Sequence, residues 1–133
     1  MKKIISLLLL FAIIFSLCSC DTYVSSYKAI GLVRSSTSHS CKASFLSLEG
    51  ELVFKLKRSD SGSEGEISYS VSAEEGEIRL YYDIYGAKEE LAYVKAGESV
   101  SSNGGYIEGG KTVYVIIEAT GNAHGKVSVE LDN

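Results

Sequence analysis

The sequence predicts an all-β protein, a two-sheet antiparallel β-sandwich of seven to nine strands with a jelly-roll-like topology. From residue 41 onward, apolar and polar residues alternate with a period of two, which is typical of strands with one buried face and one solvated face. Turns rich in Gly, Ser and Asn divide these short runs, and proline is absent. An immunoglobulin-like topology is less favoured, because the chain has no tryptophan for the Cys-Trp-Cys signature.

The first strands follow a recurring Glu-Gly-Glu segment at 49–51, 64–66 and 75–77. Each opens a strand-like run, and the runs read ELVFKLK, EISYSVS and EIRLYYDIY. We expect each glycine to form a turn and the following glutamate to begin a strand. The alternative is a calcium site built from these carboxylates. The calcium site is disfavoured, because successive strands of an antiparallel sheet would place neighbouring Glu-Gly-Glu segments at opposite ends of the sheet.

Further strands are predicted along the rest of the chain. The runs SFLSL (44–48), ELAYVK (90–95) and KVSVEL (126–131) alternate, and a short strand is expected at 99–102. The strongest run is TVYVIIEA (112–119), whose mixed faces predict a central strand covered on both sides over part of its length. The segment GNAHG (121–125) is expected to be a hairpin turn.

The N-terminus has the features of a secretory signal. Two lysines precede the apolar run IISLLLLFAIIFSL (4–17), which is shorter than the roughly 20 residues of a membrane-spanning helix. Residues 1–19 are therefore predicted to form a signal peptide, with a helix over its apolar part. The following Leu17-Cys18-Ser19-Cys20 resembles the lipobox of bacterial lipoproteins. That resemblance implies cleavage before Cys20 and attachment of lipid to its sulfur, so that acyl chains hold the mature protein at the extracytoplasmic face of the cell membrane. The alternative is a secreted protein with a Cys-x-Cys clip.

Composition limits what the mature chain does. Residues 20–40, which include a serine-rich stretch, are expected to be a tether with at most a weak strand in YKAIGLV (27–33), and residues 41–133 the sandwich domain. Without the signal, eleven basic residues remain against seventeen acidic ones, a net charge of −6, which argues against a nucleic-acid partner. Cys41 is the one cysteine left for the domain and is expected to be a small buried residue. His39 and His124 have no ligand-spaced neighbours, so no metal site is predicted.

Residues 78–131 resemble the end of bacterial pre-peptidase C-terminal domains. The resemblance rests on the segments GEIRLYYDIYG, VKAGESV and YIEGGKTVYVIIEATGNAHGKVSVEL. Most of the shared features are turn residues. The usual Ala-Gly-x-Tyr before the strong strand is replaced here by the segment 109–114, GGKTVY. The resemblance implies an extracellular sandwich that serves as an accessory module without catalytic activity.

The sequence contains no catalytic or cofactor-binding motif, so we expect no enzyme and no cofactor. The candidate ligand site is the outward register of the strand at 78–85, which carries Arg79, Tyr81, Asp83 and Tyr85. Such a polar and aromatic strip suits a glycan or an extended peptide, and the alternative is that the tyrosines only pack across strands. The predicted function is a non-catalytic binding module at the cell surface. The alternative is a structural or envelope-assembly lipoprotein that acts through a protein partner, which a long unprotected edge strand would favour.

Overall fold

The computed structural model describes residues 23–57, 64–108 and 110–131. They form seven strands: β1 (Ser26–Ile30), β2 (Val33–Ser36), β3 (Ser40–Lys57), β4 (Glu64–Asp83), β5 (Glu89–Lys95), β6 (Ser99–Glu108) and β7 (Thr112–Leu131). The predicted signal peptide and Cys20 lie outside the described residues. Within those residues, no helix is long and apolar enough to cross a membrane.

Three long strands organise the sheet, and every strand pair is antiparallel. β7 lies between β3 and β4 along nearly its whole length. Strands β2 and β6 border one half of this trio, and β1 and β5 border the other. We call the first half-sheet β2, 40–45 of β3, 125–131 of β7, 64–73 of β4, and β6. The second half-sheet is β1, 48–57 of β3, 112–119 of β7, 77–83 of β4, and β5.

The two half-sheets join where all three long strands bend. The pairing register shifts between 45 and 50 in β3, between 73 and 77 in β4, and between 119 and 125 in β7. Gly50 has a φ of 120° and Gly76 a φ of 71°, a region that glycine enters without steric cost. The expected turns at Glu49–Glu51 and Glu75–Glu77 are therefore wrong. Both glycines lie in bulges inside continuous strands.

The segment 121–125 is likewise not a hairpin turn, because β7 runs through it. Gly121 and Asn122 have φ values of 73° and 51°, so this strand also bends by left-handed residues. The side chain of Glu49 accepts a hydrogen bond of 2.7 Å from the backbone N–H of Asn122. A carboxylate of the first Glu-Gly-Glu segment thus stabilises the bend in β7. Within the described residues, no group of three or more His, Cys, Asp or Glu is placed to hold a metal ion.

Both half-sheets contribute their inner faces to one apolar core. The predicted inward residues of β7, Val113, Val115 and Ile117, are fully buried, as is Leu52 of β3. Ile116, on the opposite side of β7, is also fully buried, which confirms that this central strand is covered on both sides. The predicted antiparallel sandwich is confirmed, and the last strand returns between two earlier ones, as Greek-key connections do.

The sandwich begins earlier in the chain than the predicted boundary at residue 41. β1 and β2, both within the predicted tether, pair with β3 along its length. Ala29 and Leu32 pack against the core from this segment. These strands form although their side chains are mostly exposed, because an edge strand gains its backbone hydrogen bonds from its neighbour.

Candidate functional site

The outer face of the first half-sheet is made mostly of small polar side chains, with two lysines, a glutamate and a valine among them. It combines the outward register of five strands, and we call it the serine face. Serines alternate along β4, where Ser68, Ser70 and Ser72 point outward between the buried Ile67, Val71 and Ala73. The remaining outward residues are Val33, Ser35, Ser40, Lys42, Ser44, Ser99, Ser101, Asn103, Lys126, Ser128 and Glu130.

The strand register aligns these side chains in rows that cross the sheet. The central row is Ser35–Lys42–Ser128–Ser70–Ser101, one residue from each strand. Neighbouring strands lie about 4.8 Å apart, so the row extends about 19 Å. The hydroxyl of Ser101 donates to that of Ser70 at 3.0 Å. Each hydroxyl offers one donor and two acceptor sites, so the row presents both kinds of hydrogen-bonding group along its length.

The serine face is indented rather than flat. One depression of about 640 Å³ is lined by residues of β4, β6 and β7, and a second of about 540 Å³ is lined by residues of β2, β3, β4 and β7. Ser70 and Ser128 line both, so the two depressions meet at the middle of the central row. Together they form a shallow groove across the strands, as small side chains there leave space that larger ones would fill. Polar residues line most of it, and Val33, Ala43 and Val127 add apolar surface beside β2.

The outer face of the second half-sheet has the opposite composition, with large aromatic and charged side chains. We call it the tyrosine face, after Tyr81 of β4, Tyr93 of β5 and Tyr114 of β7, which are all half-buried. The predicted strip lies here, and the structure places its four members differently from one another.

Arg79 and Tyr81 lie on the tyrosine face with their interactions already made. The guanidinium of Arg79 stacks 3.8 Å from the centre of the Tyr93 ring and forms a 3.1 Å ion pair with Glu90. The ammonium of Lys88 lies 4.4 Å from the centre of the Tyr81 ring. Cations thus cover ring faces on which a ligand would stack.

Asp83 is not an exposed member of the strip, since its side chain is 2% exposed. The phenol of Tyr23 donates a hydrogen bond to Asp83 Oδ2, and the backbone N–H of Gly86 donates to Oδ1 at 2.7 Å. The hydrogen bond to Asp83 raises the pKa of Tyr23 to about 12. Tyr85 is 65% exposed but lies in the turn beyond the end of β4, so the four residues do not form the continuous exposed strip that was expected.

The groups that resemble catalytic residues are poorly placed for catalysis. His124 Nδ1 lies 3.2 Å from Glu74 Oε2, but the side chain of Glu74 is 72% exposed, so solvent screens the pair. His39 lies in the connection between β2 and β3, and its Nδ1 is 3.4 Å from the hydroxyl of the adjacent Ser38. Cys41 is buried, as predicted, and burial raises the pKa of its thiol to about 12, which keeps it protonated and unreactive.

The serine face was missed by reasoning from the sequence. Its signal is present as alternating serines in SCKAS (40–44), SYSVS (68–72) and SVSSN (99–103). Each run predicts only a strand with a solvated side. The clustering follows from strand order, because β4 and β6 are neighbours and β7 inserts between β3 and β4.

Comparisons with known proteins bear on the fold. No known family matches the sequence, and no curated protein is similar to it. Among solved structures, a family 29 carbohydrate-binding module complexed with mannohexaose is 14% identical, with a TM-score of 0.41 over 80% of this chain and 78% of that one. TmCBM61 in complex with β-1,4-galactotriose is 14% identical, with a TM-score of 0.40 over 85% and 84%. Drosophila melanogaster CENP-C bound to CAL1 is 13% identical, with a TM-score of 0.37 over 84% and 82%. These likenesses concern β architecture alone, and one fold hosts many unrelated functions.

Proposed function

We propose that the chain is a non-catalytic, lipid-anchored module of a bacterial cell surface that binds a glycan along the groove of the serine face. The observation that carries the ligand site is the central row of four serines and Lys42, which crosses five strands where two depressions join. The lipobox resemblance at Leu17–Cys20 supports the anchor, with Cys20 as the lipid site and the extracytoplasmic face of the membrane as the location.

The chemistry of the groove favours a glycan over the other ligand classes. A glycan is an extended chain of hydroxyls that need both donors and acceptors, which rows of serine supply. The groove has few charges, two lysines (Lys42 and Lys126) and one glutamate (Glu130), so it lacks the strongly basic surface that phosphates require. An extended peptide adds to a sheet edge along the strand direction, whereas the central row runs across the strands from one edge to the other. The aliphatic side chains that line the groove, Val33, Ala43 and Val127, are confined to the depression beside β2.

The edge strands of the sandwich argue against the alternative function, in which a partner protein would add a strand to the sheet. The edge strands β1, β2 and β5 are five, four and seven residues long. The longer edge strand β6 contains Gly104 and Gly105, and its register with β4 shifts beside them. Short and irregular edges are the features by which sheets avoid pairing with other chains. The alternative of an envelope-assembly lipoprotein acting by this route is therefore the weaker candidate.

The test is a glycan array probed with the chain from Cys20 onward, kept soluble by Cys20→Ser, followed by titration calorimetry. Ser70→Tyr places a large ring at the junction of the two depressions and should abolish binding. Ser26→Tyr, on the exposed edge strand β1 of the other half-sheet, is the matched control and should bind as the parent does. Retention of binding by Ser70→Tyr would refute the groove as the ligand site.

Mass spectrometry of the native protein should show an acylated N-terminus at Cys20, and a lipid-free N-terminus elsewhere would refute the anchor.

The tyrosine face is the second candidate site, because it is the location predicted from the strip of Arg79, Tyr81, Asp83 and Tyr85. Partly exposed aromatic rings at the surface support it. A glycan would have to displace Lys88 from Tyr81 before stacking there. Loss of binding in Tyr81→Ala with full binding in Ser70→Tyr would select this face.

A further inference from the structure

The N-terminal segment of the described chain is fixed onto the tyrosine face at two points. The hydroxyl of Ser25 accepts a 2.9 Å hydrogen bond from the backbone N–H of Val53 in β3. Two residues earlier, Tyr23 reaches Asp83 of β4, and its ring lies 5.5 Å from the ring of Tyr114 in β7. The segment therefore spans the face from β3 across β7 to β4, a width of two strand spacings, or about 10 Å.

The position of this segment restricts the orientation of the domain relative to the membrane that holds the proposed lipid anchor. Cys20 precedes Tyr23 by three residues, and an extended chain spans at most about 3.6 Å per residue. A lipid on Cys20 therefore holds Tyr23 within about 11 Å of the membrane surface. A linker of two residues, 21 and 22, leaves little freedom for the domain to rotate, since Tyr23 is held by a buried carboxylate and a packed ring.

We propose that the tyrosine face lies against the headgroup layer of the bilayer, and that the serine face points away from the membrane. This inference rests on the proposed lipid anchor. The partner is the phospholipid surface itself, reached through the side of the sandwich from which the chain leaves toward Cys20.

The chemistry of the tyrosine face fits a headgroup layer. Tyrosine is enriched at membrane interfaces, where its ring lies at the level of the headgroups and its hydroxyl stays hydrated. Arg79 and Lys88 lie over tyrosine rings, and each also pairs with a glutamate, Arg79 with Glu90 and Lys88 with Glu118. The face is thus close to charge-balanced, so we expect it to meet zwitterionic lipids and to depend only weakly on anionic ones.

The test uses the full lipidated chain in phosphatidylcholine vesicles that contain a lipid with a nitroxide on its headgroup. A fluorophore is attached to Lys55→Cys on the tyrosine face or to Ser101→Cys on the serine face, both at exposed positions. Cys41 is buried with a raised pKa and does not compete for the label. The two labels differ in height by at least the roughly 10 Å that separates packed sheets. The label at 55 should be quenched severalfold more strongly than the label at 101.

A longer linker provides the matched control. Ten Gly and Ser residues inserted between Thr22 and Tyr23 extend the reach by roughly 17 Å and should largely abolish the difference in quenching between the two labels. Equal quenching of the two labels in an acylated chain with the native linker would overturn the orientation and leave the anchor intact. A chain without acyl groups on Cys20 would refute the anchor and the orientation together, and mass spectrometry of the same sample distinguishes these outcomes.

Discussion

The bend in β4 gives the sharpest quantitative prediction, through Gly76→Ala. Gly76 has a φ of 71°, and a Cβ there would lie 2.6 Å from the backbone oxygen of Thr120 and 2.7 Å from the Cα of Ala123. Real Cβ atoms do not approach other atoms so closely, and both contacts are to β7 backbone. The bulge must therefore open, which separates two strands that carry most of the pairing in the sandwich.

The control is Gly97→Ala, in the turn between β5 and β6. Gly97 has a similar φ of 86°, but no atom lies within 4 Å of the position that a methyl group would take there. Left-handed backbone costs a non-glycine residue about 1–2 kcal/mol, which is the whole expected effect at Gly97. Overpacking adds about 1–3 kcal/mol, so Gly76→Ala should destabilise the protein by roughly 2–5 kcal/mol.

Urea unfolding followed by tyrosine fluorescence measures both variants, since the chain has nine tyrosines and no tryptophan. For a domain of about 100 residues, each kcal/mol also lowers Tm by roughly 4–8 °C, which gives an independent reading. We expect Gly76→Ala to lose more free energy of unfolding than Gly97→Ala, by at least about 1 kcal/mol. Equal losses would show that the close approach of β4 and β7 at the bend does not stabilise the fold.

Three further predictions concern individual side chains. Tyr23→Phe should cost about 1–3 kcal/mol, because Asp83 loses a partner while buried. The pKa of Tyr23 is raised from 10 to about 12, so its contribution is present below pH 10 and is lost as pH rises toward 12; alkaline unfolding of Tyr23→Phe should lack this component. Tyr81→Ala should leave glycan binding unchanged in calorimetry, and loss of binding would move the site to the tyrosine face. Cys41 should react with a thiol reagent at pH 8 only in denaturant, and fast labelling of the native protein would contradict its burial.

Alternation of apolar and polar residues was sufficient to predict the fold class and the inner face of the sandwich. Leu52, Phe54 and Leu56 are all buried, as are the inward residues of β7. The prediction worked because a strand has a period of two and one of its faces must be removed from water. Nothing in that pattern depends on which strands become neighbours.

The same pattern could not distinguish a bend from a turn. A hairpin corner and a bulge both call for glycine with positive φ and for polar neighbours, so Gly50 and Gly76 are consistent with either. Pairing with β7 makes these positions bends and not turns, because β7 pairs with β3 and with β4 both before and after the bend. Local sequence therefore predicted most of the β structure from residue 41 onward, but it divided three long strands too often and ended β6 at residue 102 instead of Glu108.

The predicted ligand site failed as a continuous strip for a related reason. Arg79, Tyr81 and Asp83 do lie on one side of β4, as the period requires. Their exposure depends on what crosses them, and the residue that covers Asp83 is Tyr23, sixty positions earlier in the chain. The predicted tether showed only the pattern of a weak strand at 27–33, and nothing in its sequence indicated that Tyr23 would reach β4.

The two outer faces differ in the size of their side chains, and the proposed function depends on that difference. A surface that must hold a crossing segment needs large side chains, and the tyrosine face supplies rings and a buried carboxylate to Tyr23. A surface that must receive a ligand needs empty space with polar groups at its base, and only small side chains leave that space. Substitution of Ser70 or Ser128 by a larger residue would fill the groove without touching the core, because both point away from it. We therefore expect such a substitution to leave the free energy of unfolding nearly unchanged while it removes glycan binding.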